Sequence, residues 1–259
     1  MNELLWRILK CLGISPFIWL FANPIKIYEF IRLTQGSALC SEHIALDLGC
    51  GHGHWTLELA RRCQKAIGID ISEDQILYAR RAVRNSALRK RVEYRCTTLE
   101  NAYFPVGSFD RVFSMCVLQH VRNLDEVLAE VYRILKPGGE LHVSVDSLAC
   151  IQDQALLEKH KSDHSVHEYF TKESLREYLE NAGLSVVQIQ PILTSDFARQ
   201  EFKRRIAGRF KSALLTRLFG HYKYGLFGRL FVYHKLREQD LKSNHRDGIF
   251  LIGRACKPQ

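Results

Sequence analysis

The chain has 259 residues and a formal net charge of +9 at pH 7, with 46% apolar and 25% charged residues. These values are ordinary for a globular protein with one large core, and they exclude a disordered chain and a small disulfide-dependent scaffold. The eight cysteines include no C-x-x-C pair. This pattern favours thiols in a reducing compartment over a zinc site, so we expect a cytoplasmic protein that binds no metal.

The first 38 residues form an apolar and amphipathic segment, which we predict to be helical. Its uninterrupted apolar part is about half of the ~20 residues that a spanning helix needs. No small-residue cleavage site follows "ISPFIWLFANP", so a signal peptide is disfavoured. Trp6, Phe17, Trp19 and Phe21 instead suit an interfacial or docking segment.

From residue 44, short apolar runs alternate with amphipathic stretches, which is typical of a parallel sheet with crossover helices. The predicted strands are 44–48, 66–69, 92–96, 111–115, 140–145, 185–189 and 248–255. Predicted helices cover 55–63, the stretch after Ser72, 124–135 as far as "KPGG", and the stretch between Thr171 and Gly183. The predicted fold is therefore α/β, a seven-stranded, mostly parallel, doubly wound sheet with helices on both faces.

Two regions lie outside this alternation of predicted strands and helices, and they define the predicted domains. These are the N-terminal segment 1–38 and a helical insertion 192–246, which leave a central domain of residues 39–191 plus 247–259. Residues 199–237 hold eleven Lys and Arg against the single acid Glu201, so this stretch carries about +10. Within it, Ile206, Phe210, Leu214 and Leu218 form one helical stripe opposite basic and polar residues.

Three interpretations of the basic insertion remain open. It suits an anionic membrane surface, a nucleic acid whose phosphates and bases meet basic and aromatic side chains, or a lid over a binding site. The bulky aliphatic residues at helical spacing favour the membrane or the lid over nucleic acid.

The stretch "ALDLGCGHG" places Asp47 and three glycines at the end of the first predicted strand. The spacing differs from G-x-G-x-x-G and lacks G-K-[ST], so a phosphate loop is disfavoured, and a plain structural turn is the remaining alternative. An acid inside the loop repels phosphate and suits a cationic ligand. Asp70, at the end of the second strand, is positioned to accept both hydroxyls of a ribose.

Four motifs in this order resemble the class I S-adenosylmethionine-dependent methyltransferases, in particular the small-molecule, type 11-like group. They are "ALDLGCGHG", "GIDIS", "FDRVFSMCVLQHV" and "ILKPGGELHVSV", and the resemblance covers residues 44–190 and 248–257. It implies S-adenosyl-L-methionine as the cofactor. The implied cofactor-binding residues are Asp47, Gly49, Cys50, Gly51, Gly53, Asp70, Ile71, Thr98, Leu99 and Met115.

The resemblance also implies a role for several of these residues. Asp47 and the loop backbone lie against the methionine moiety and the ribose, and Ile71 packs on the adenine. One departure concerns "TLENAYFP", which places Thr98 where the family often has an acid that holds the adenine amino group. The Thr98 hydroxyl could accept that hydrogen bond, and the Leu99 amide could serve the ring.

Methyl transfer from a sulfonium depends mainly on positioning, and a general base is needed only for a protonated nucleophile. His120 in "LQHV" is the candidate base, and a packing or capping histidine is the alternative. His167 and Tyr169 are candidates for the acceptor pocket, and solvated loop residues are the alternative. His52 and His54 are expected to be loop residues rather than metal ligands.

We therefore predict a methyltransferase with a small, lipophilic acceptor, cytoplasmic and peripheral on a membrane surface. One alternative is an RNA methyltransferase that uses the basic insertion. The other is a binding or scaffold protein that keeps the fold without turnover.

Overall fold

A computed structural model describes residues 23–84, 86–206 and 226–259. The chain divides into two compact units. The sheet unit comprises residues 32–147, 167–190 and 250–259, and the helical unit comprises the described parts of 1–31, 148–166 and 191–249. The domain division predicted at residues 38, 191 and 246 stays a prediction.

The sheet has seven strands in the described residues, in the order β3-β2-β1-β4-β5-β7-β6. Their bounds are β1 Ile44–Leu48, β2 Lys65–Asp70, β3 Val92–Cys96, β4 Phe109–Met115, β5 Leu135–Asp146, β6 Ser185–Ile192 and β7 Phe250–Cys256. Strands β3, β2, β1, β4 and β5 pair in parallel, and β7 pairs with β5 in the antiparallel sense. The predicted α/β fold class with a mostly parallel sheet is confirmed.

The helices follow the amphipathic stretches. They are α1 Pro24–Thr34, α2 His54–Ala60, α3 Glu73–Val83, α4 Leu124–Ile134, α5 Gln154–His164, α6 Lys172–Asn181, α7 Asp196–Ile206 and α8 Leu226–Lys242. Two predicted caps are present, because the Ser72 hydroxyl accepts the Gln75 amide and Thr171 forms a capping box with Ser174. No helix within the described ranges combines the length and apolarity that crossing a bilayer requires.

The core of the sheet unit forms where α4 covers the sheet. The apolar face of α4 repeats at helical spacing and is buried, and its residues are Leu124, Val127, Leu128, Val131 and Ile134. They pack with residues of β1, β4 and β5, such as Leu46, Val112 and Val143. This packing holds the carboxyl ends of β1 and β4 in fixed register, and the candidate site lies at that edge.

Two elements differ from the sequence prediction. "KPGG" belongs to β5, because Gly138 donates its amide to the Lys257 carbonyl and Lys257 donates to Gly139, both at 2.9 Å. Helix α4 ends at Ile134, and Leu135 is already extended, so the strand begins without an intervening loop. Helix α5 was not predicted, because its sequence is largely polar and only His160 is buried.

Some predictions fall on residues that the structure does not describe. Trp6, Phe17, Trp19 and Phe21 lie outside the described ranges, as does the predicted basic helix 206–220 apart from Ile206, which ends α7. The aromatic continuation after it is described as helix α8 from Leu226 onward.

Candidate functional site

The glycine loop after β1 is a compact turn held to the end of β2. The amides of Gly49 and Cys50 both donate to the Ile69 carbonyl at 2.9 Å. Gly49, Gly51 and Gly53 all have positive φ, at 71°, 52° and 75°, which is the region that glycine adopts at little cost. Three left-handed residues in five therefore curl the backbone away from the strand and into α2.

Two of these glycines are also required by close packing. A Cβ on Gly49 would lie 2.3 Å from Cγ2 of Val117, and one on Gly53 would lie 2.5 Å from the Tyr94 hydroxyl. That hydroxyl donates to the Gly53 carbonyl at 2.8 Å. Val117, in the turn after β4, and Tyr94, on β3, thus support the loop, and nothing in their sequence context distinguishes them from ordinary core residues.

Asp47 is a buried acid at the end of β1, with 4% of its surface exposed. The Thr56 hydroxyl of α2 donates to its Oδ2 at 2.6 Å. Burial raises the pKa of Asp47 to about 6, the nearby charge of Asp70 adds to the rise, and the Thr56 hydrogen bonds oppose it. Among the described residues no basic side chain forms an ion pair with Asp47. The site is therefore electrostatically suited to a cationic ligand.

Asp70 ties the glycine loop to α3. Its Oδ2 accepts the Gly51 amide and its Oδ1 accepts the Ser72 amide, both at 2.9 Å. Each carboxylate oxygen has a further lone-pair direction, so the group can still accept two ligand hydroxyls. Next to it, Ile71 is 75% exposed, an unusual position for a large apolar side chain beside a polar loop.

Thr98 and Leu99 follow β3 at the same edge of the sheet. Thr98 is exposed, and its hydroxyl accepts the Asn101 amide at 3.3 Å, whereas the Leu99 side chain is buried. The Thr97 amide donates to the Asp70 carbonyl at 3.0 Å, which holds this stretch beside the end of β2. The structure thus brings Thr98 close to Asp70 and Ile71 in the sheet unit.

The chain leaves β4 through a strained residue. Met115 is half-buried, and Cys116 has φ of +54°, which is uncommon for a non-glycine residue. The Cys116 amide donates to the Ser144 carbonyl at 2.9 Å, and its thiol lies 3.7 Å from Oδ1 of Asp146. This turn directs Val117 onto Gly49 and starts the short 3₁₀ helix Leu118–His120.

The candidate acceptor residues lie beside that turn. His120 is exposed at the end of the 3₁₀ helix, and the His167 amide donates to the Gln119 carbonyl at 2.8 Å. His167 is exposed and Tyr169 is half-buried, and the Phe170 amide is anchored on the Asp146 carbonyl at 2.9 Å. The backbone therefore brings the segments of His120 and His167 together, while the roles of His120, His167 and Tyr169 stay predictions.

His52 and His54 stack on each other with ring centroids 6.2 Å apart, and Tyr78 meets His52 edge-on at 4.9 Å. Burial lowers the pKa of His54, and the neighbouring His52 adds to this effect. In the part of the chain that is described, no group of three or more His, Cys, Asp or Glu side chains is arranged to hold a metal ion.

Sequence reasoning missed several residues of this site. Thr56 is one of three polar residues in the stretch "HWTLELA", beside His54 and Glu58, and Tyr94 and Val117 have the apolar character of core residues. The only available signal was Thr56 itself, three residues after Gly53, because a hydroxyl in the first turn of a helix often serves a neighbouring polar group.

Residues 46–143 match the family model described as "Methyltransferase domain". The human mitochondrial ubiquinone biosynthesis O-methyltransferase is 31% identical over 163 residues, which cover 59% of this chain and 44% of that protein. The ubiquinone/menaquinone biosynthesis C-methyltransferase UbiE of Hydrogenovibrio crunogenus is 36% identical over 104 residues, covering 39% and 41%. The matched regions thus span less than half the length of these relatives.

Among solved structures, geranyl diphosphate C-methyltransferase from Streptomyces coelicolor A3(2) has a TM-score of 0.63 and 16% sequence identity, covering 88% of this chain and 76% of that one. At this identity the likeness shows the fold alone. The cofactor of the matched family is S-adenosylmethionine. Residues 46–143 are thus similar to a methyltransferase domain, and the seven-stranded sheet has the Rossmann-like fold of the class I S-adenosylmethionine-dependent methyltransferases.

Proposed function

We propose that the protein is an S-adenosylmethionine-dependent methyltransferase acting on a small, lipophilic acceptor. The observation that carries the proposal is Asp47, a buried acid without a basic partner among the described residues, beside a loop whose Gly51 amide is held by Asp70. A buried carboxylate of this kind is costly to the fold and is explained by a cationic ligand.

The residues present fit this cofactor. S-adenosylmethionine supplies a methyl group on a positively charged sulfur, which a nucleophile takes in a single displacement. Asp47 compensates positive charge, Asp70 accepts the ribose hydroxyls, and Ile71 offers an apolar surface to the adenine. Met115 and the turn after it line the edge where the acceptor enters, so the protein contributes by positioning and by excluding water. Cys50, Thr98 and Leu99 complete the proposed cofactor site.

The acceptor class is supported by the relatives. Two of them are methyltransferases of ubiquinone or menaquinone biosynthesis, and the structural relative methylates geranyl diphosphate, as their names state. By analogy we propose an acceptor that combines a reactive polar group with an apolar chain. His120 is proposed as the general base if that acceptor arrives protonated, and His167 and Tyr169 as residues of its pocket.

Calorimetric titration with S-adenosylmethionine tests the cofactor assignment. The wild type is expected to bind, and Asp70→Ala is expected to weaken binding by at least tenfold, because it removes the ribose acceptor and the support of Gly51. Asp74→Ala, on the exposed face of α3, is the matched control and is expected to bind as the wild type does. Equal binding by both variants, or none by the wild type, would contradict the proposal.

Turnover is tested separately by the release of S-adenosylhomocysteine with a panel of alkylated quinols, alkylated phenols and prenyl diphosphates. Cofactor binding with no turnover across lipophilic and soluble panels would favour the scaffold alternative. Turnover on RNA fragments would favour the RNA methyltransferase.

We further propose a cytoplasmic location with peripheral contact to an anionic membrane. The helical unit presents exposed basic residues in the last turn of α7, including Lys203 and Arg205, and a 65% exposed Phe231 on α8. Exposed basic residues together with an exposed aromatic ring are the combination that interfacial binding uses. The buried thiol of Cys63, whose pKa burial raises to about 11, supports a reducing compartment, because it serves as a small core residue.

A further inference from the structure

Gln119 is a buried polar residue that the cofactor site does not use. It lies in the 3₁₀ helix Leu118–His120 directly after β4, and 1% of its surface is exposed. The Oε1 atom of its side chain has no hydrogen-bond partner within the described chain. Buried side-chain amides are normally satisfied, so an unpartnered one at a strand end calls for an explanation.

The position of Gln119 links the two halves of the candidate site. Two residues before it, Val117 contacts Gly49 of the glycine loop. Its own backbone carbonyl accepts the amide of His167, the first residue of the segment proposed to line the acceptor pocket. The turn that carries Gln119 thus lies at the carboxyl edge of the sheet, which is where doubly wound folds bind their ligands.

The chemistry of the side chain indicates what it binds. A buried neutral amide oxygen is best satisfied by a neutral O–H donor, because an ammonium group there would leave its charge uncompensated. An apolar residue of the same size would fill the space without the cost of an unsatisfied group. Gln119 therefore weakens the fold unless a ligand hydroxyl completes its hydrogen bond.

We propose that the side-chain amide of Gln119 binds a hydroxyl group of the methyl acceptor and thereby selects hydroxylated over hydroxyl-free acceptors. This inference rests on the proposed function, since it concerns the acceptor of that reaction. In that reaction Gln119 would recognise the acceptor, and the acceptor's hydroxyl would be the group recognised.

The test uses two probes of nearly equal shape, phenol and anisole, of which only phenol donates a hydrogen bond. Their dissociation constants are measured by ligand-observed NMR on the full chain saturated with S-adenosylhomocysteine. The wild type is expected to prefer phenol by at least about fivefold, and Gln119→Met is expected to abolish or reverse the preference. Gln64→Met, which replaces an exposed glutamine, is expected to keep it.

Thermal unfolding of the cofactor-free variants provides a second readout. Gln119→Met is expected to raise the Tm, because it removes an unsatisfied buried group, whereas a purely structural hydrogen bond would make the Tm fall. Equal affinity for phenol and anisole in the wild type, binding of neither probe, or a preference that survives in Gln119→Met would overturn the inference.

Calorimetry with S-adenosylmethionine on the same proteins separates the two possible failures. Normal cofactor binding without a phenol preference would refute the role of Gln119 and leave the proposed function standing. Absence of cofactor binding would refute the proposed function itself.

Discussion

At the scale of single residues, Asp47 carries the most specific prediction, because its raised pKa is expected to make the affinity of the proposed cofactor site depend on pH. The ionised form attracts a cation, and this form is lost as the pH falls through about 6. Affinity for S-adenosylmethionine is therefore expected to drop by about tenfold between about pH 7.5 and about pH 5. Calorimetric titration across this range measures the effect, and Asp47→Asn is expected to bind weakly with little pH dependence.

Asp47 is also expected to affect the stability of the fold, with a pH dependence opposite to that of cofactor affinity. Because the pKa of Asp47 is higher in the folded state than its ordinary value of 3.8, the group favours folding at low pH and this contribution is lost as the pH rises through about 6. Asp47→Asn is thus expected to stabilise the cofactor-free protein at neutral pH, by up to about 3 kcal/mol. Denaturant unfolding at pH 7 and about pH 4 checks this, and a variant less stable than the wild type at pH 7 would contradict it.

Gly49 tests whether the loop needs both its backbone conformation and its close packing. Gly49→Ala adds a methyl group 2.3 Å from Val117 at a φ of +71°, so about 2–4 kcal/mol of destabilisation is expected. Gly107→Ala is the matched control, since its φ is +66° but the nearest atom to the added methyl is 4.0 Å away. It is expected to lose only about 1–2 kcal/mol.

A second substitution separates the two contributions. In the Gly49→Ala background, Val117→Ala is expected to recover part of the stability and of the cofactor affinity, because it removes the collision but leaves the positive φ. Additive losses in this double-mutant cycle, measured by urea unfolding, would show that Val117 does not enforce the glycine.

The sequence predicts some residues of the candidate site and not others. Asp47, Asp70 and the glycines stand at the ends of apolar runs, so their position at one edge of a parallel sheet follows from the pattern. Thr56, Tyr94 and Val117 act through contacts between different elements, and Tyr94 is 41 positions along the chain from Gly53. No local pattern encodes such contacts, and the resemblance to a family implied only residues expected to bind the cofactor directly.

At the scale of elements, one buried carboxylate joins three parts of the helical unit. Asp240 of α8 accepts the Tyr28 hydroxyl of α1 at 2.7 Å and the amide and hydroxyl of Thr194, which follows β6, at 2.6 and 3.0 Å. Tyr28→Phe is expected to cost about 1.5–3 kcal/mol, because it removes a hydrogen bond to a buried charged group. Thr194→Val is expected to cost less, since the Thr194 amide still serves the same oxygen.

Hydrogen exchange can show in which elements Tyr28→Phe lowers stability. Amides of α1 and α8 are expected to exchange faster in Tyr28→Phe, while those of β1 and β4 in the sheet unit keep their protection. Tyr78→Phe, which alters an exposed tyrosine of α3, is the control. Unchanged exchange in α8 would mean that Asp240 does not hold these elements together.

The elements also show where periodicity predicts structure and where it does not. Helix α4 was predicted because five of its eleven residues form a buried apolar stripe. Helix α5 buries only His160, so its polar sequence carried no amphipathic signal. The start of β5 was missed for another reason, since Pro and Gly ordinarily end an element, whereas here Gly138 and Gly139 pair with Lys257 at the end of the chain.

At the scale of the whole molecule, the charge of +9 is concentrated in residues 199–237, which lie outside the stretch that matches the methyltransferase family model. The described ends of residues 199–237 lie in the helical unit, and the residues proposed to bind the cofactor lie in the sheet unit. Substitutions in the helical unit are therefore expected to affect the proposed membrane contact while leaving the proposed cofactor site intact, so the two proposals can be tested separately.

Co-sedimentation with anionic vesicles provides that test. Replacing Lys203 and Arg205 with Gln is expected to weaken binding by about 30-fold, since each basic residue near an anionic surface contributes about 1 kcal/mol. Replacing Arg89 and Lys90 of the sheet unit removes the same charge and is expected to weaken binding far less, because only the charge of the helical unit is proposed to face the lipid.

The apolar contribution is tested at Phe231. Phe231→Ser is expected to lose the binding that remains at high salt, because screening weakens attraction between charges but leaves the burial of an aromatic ring. All variants are expected to bind S-adenosylmethionine as the wild type does.

Equal losses from the two charge pairs would reduce the membrane proposal to nonspecific attraction by net charge. Displacement of the protein from vesicles by RNA would instead favour a nucleic-acid partner, and with it an RNA methyltransferase.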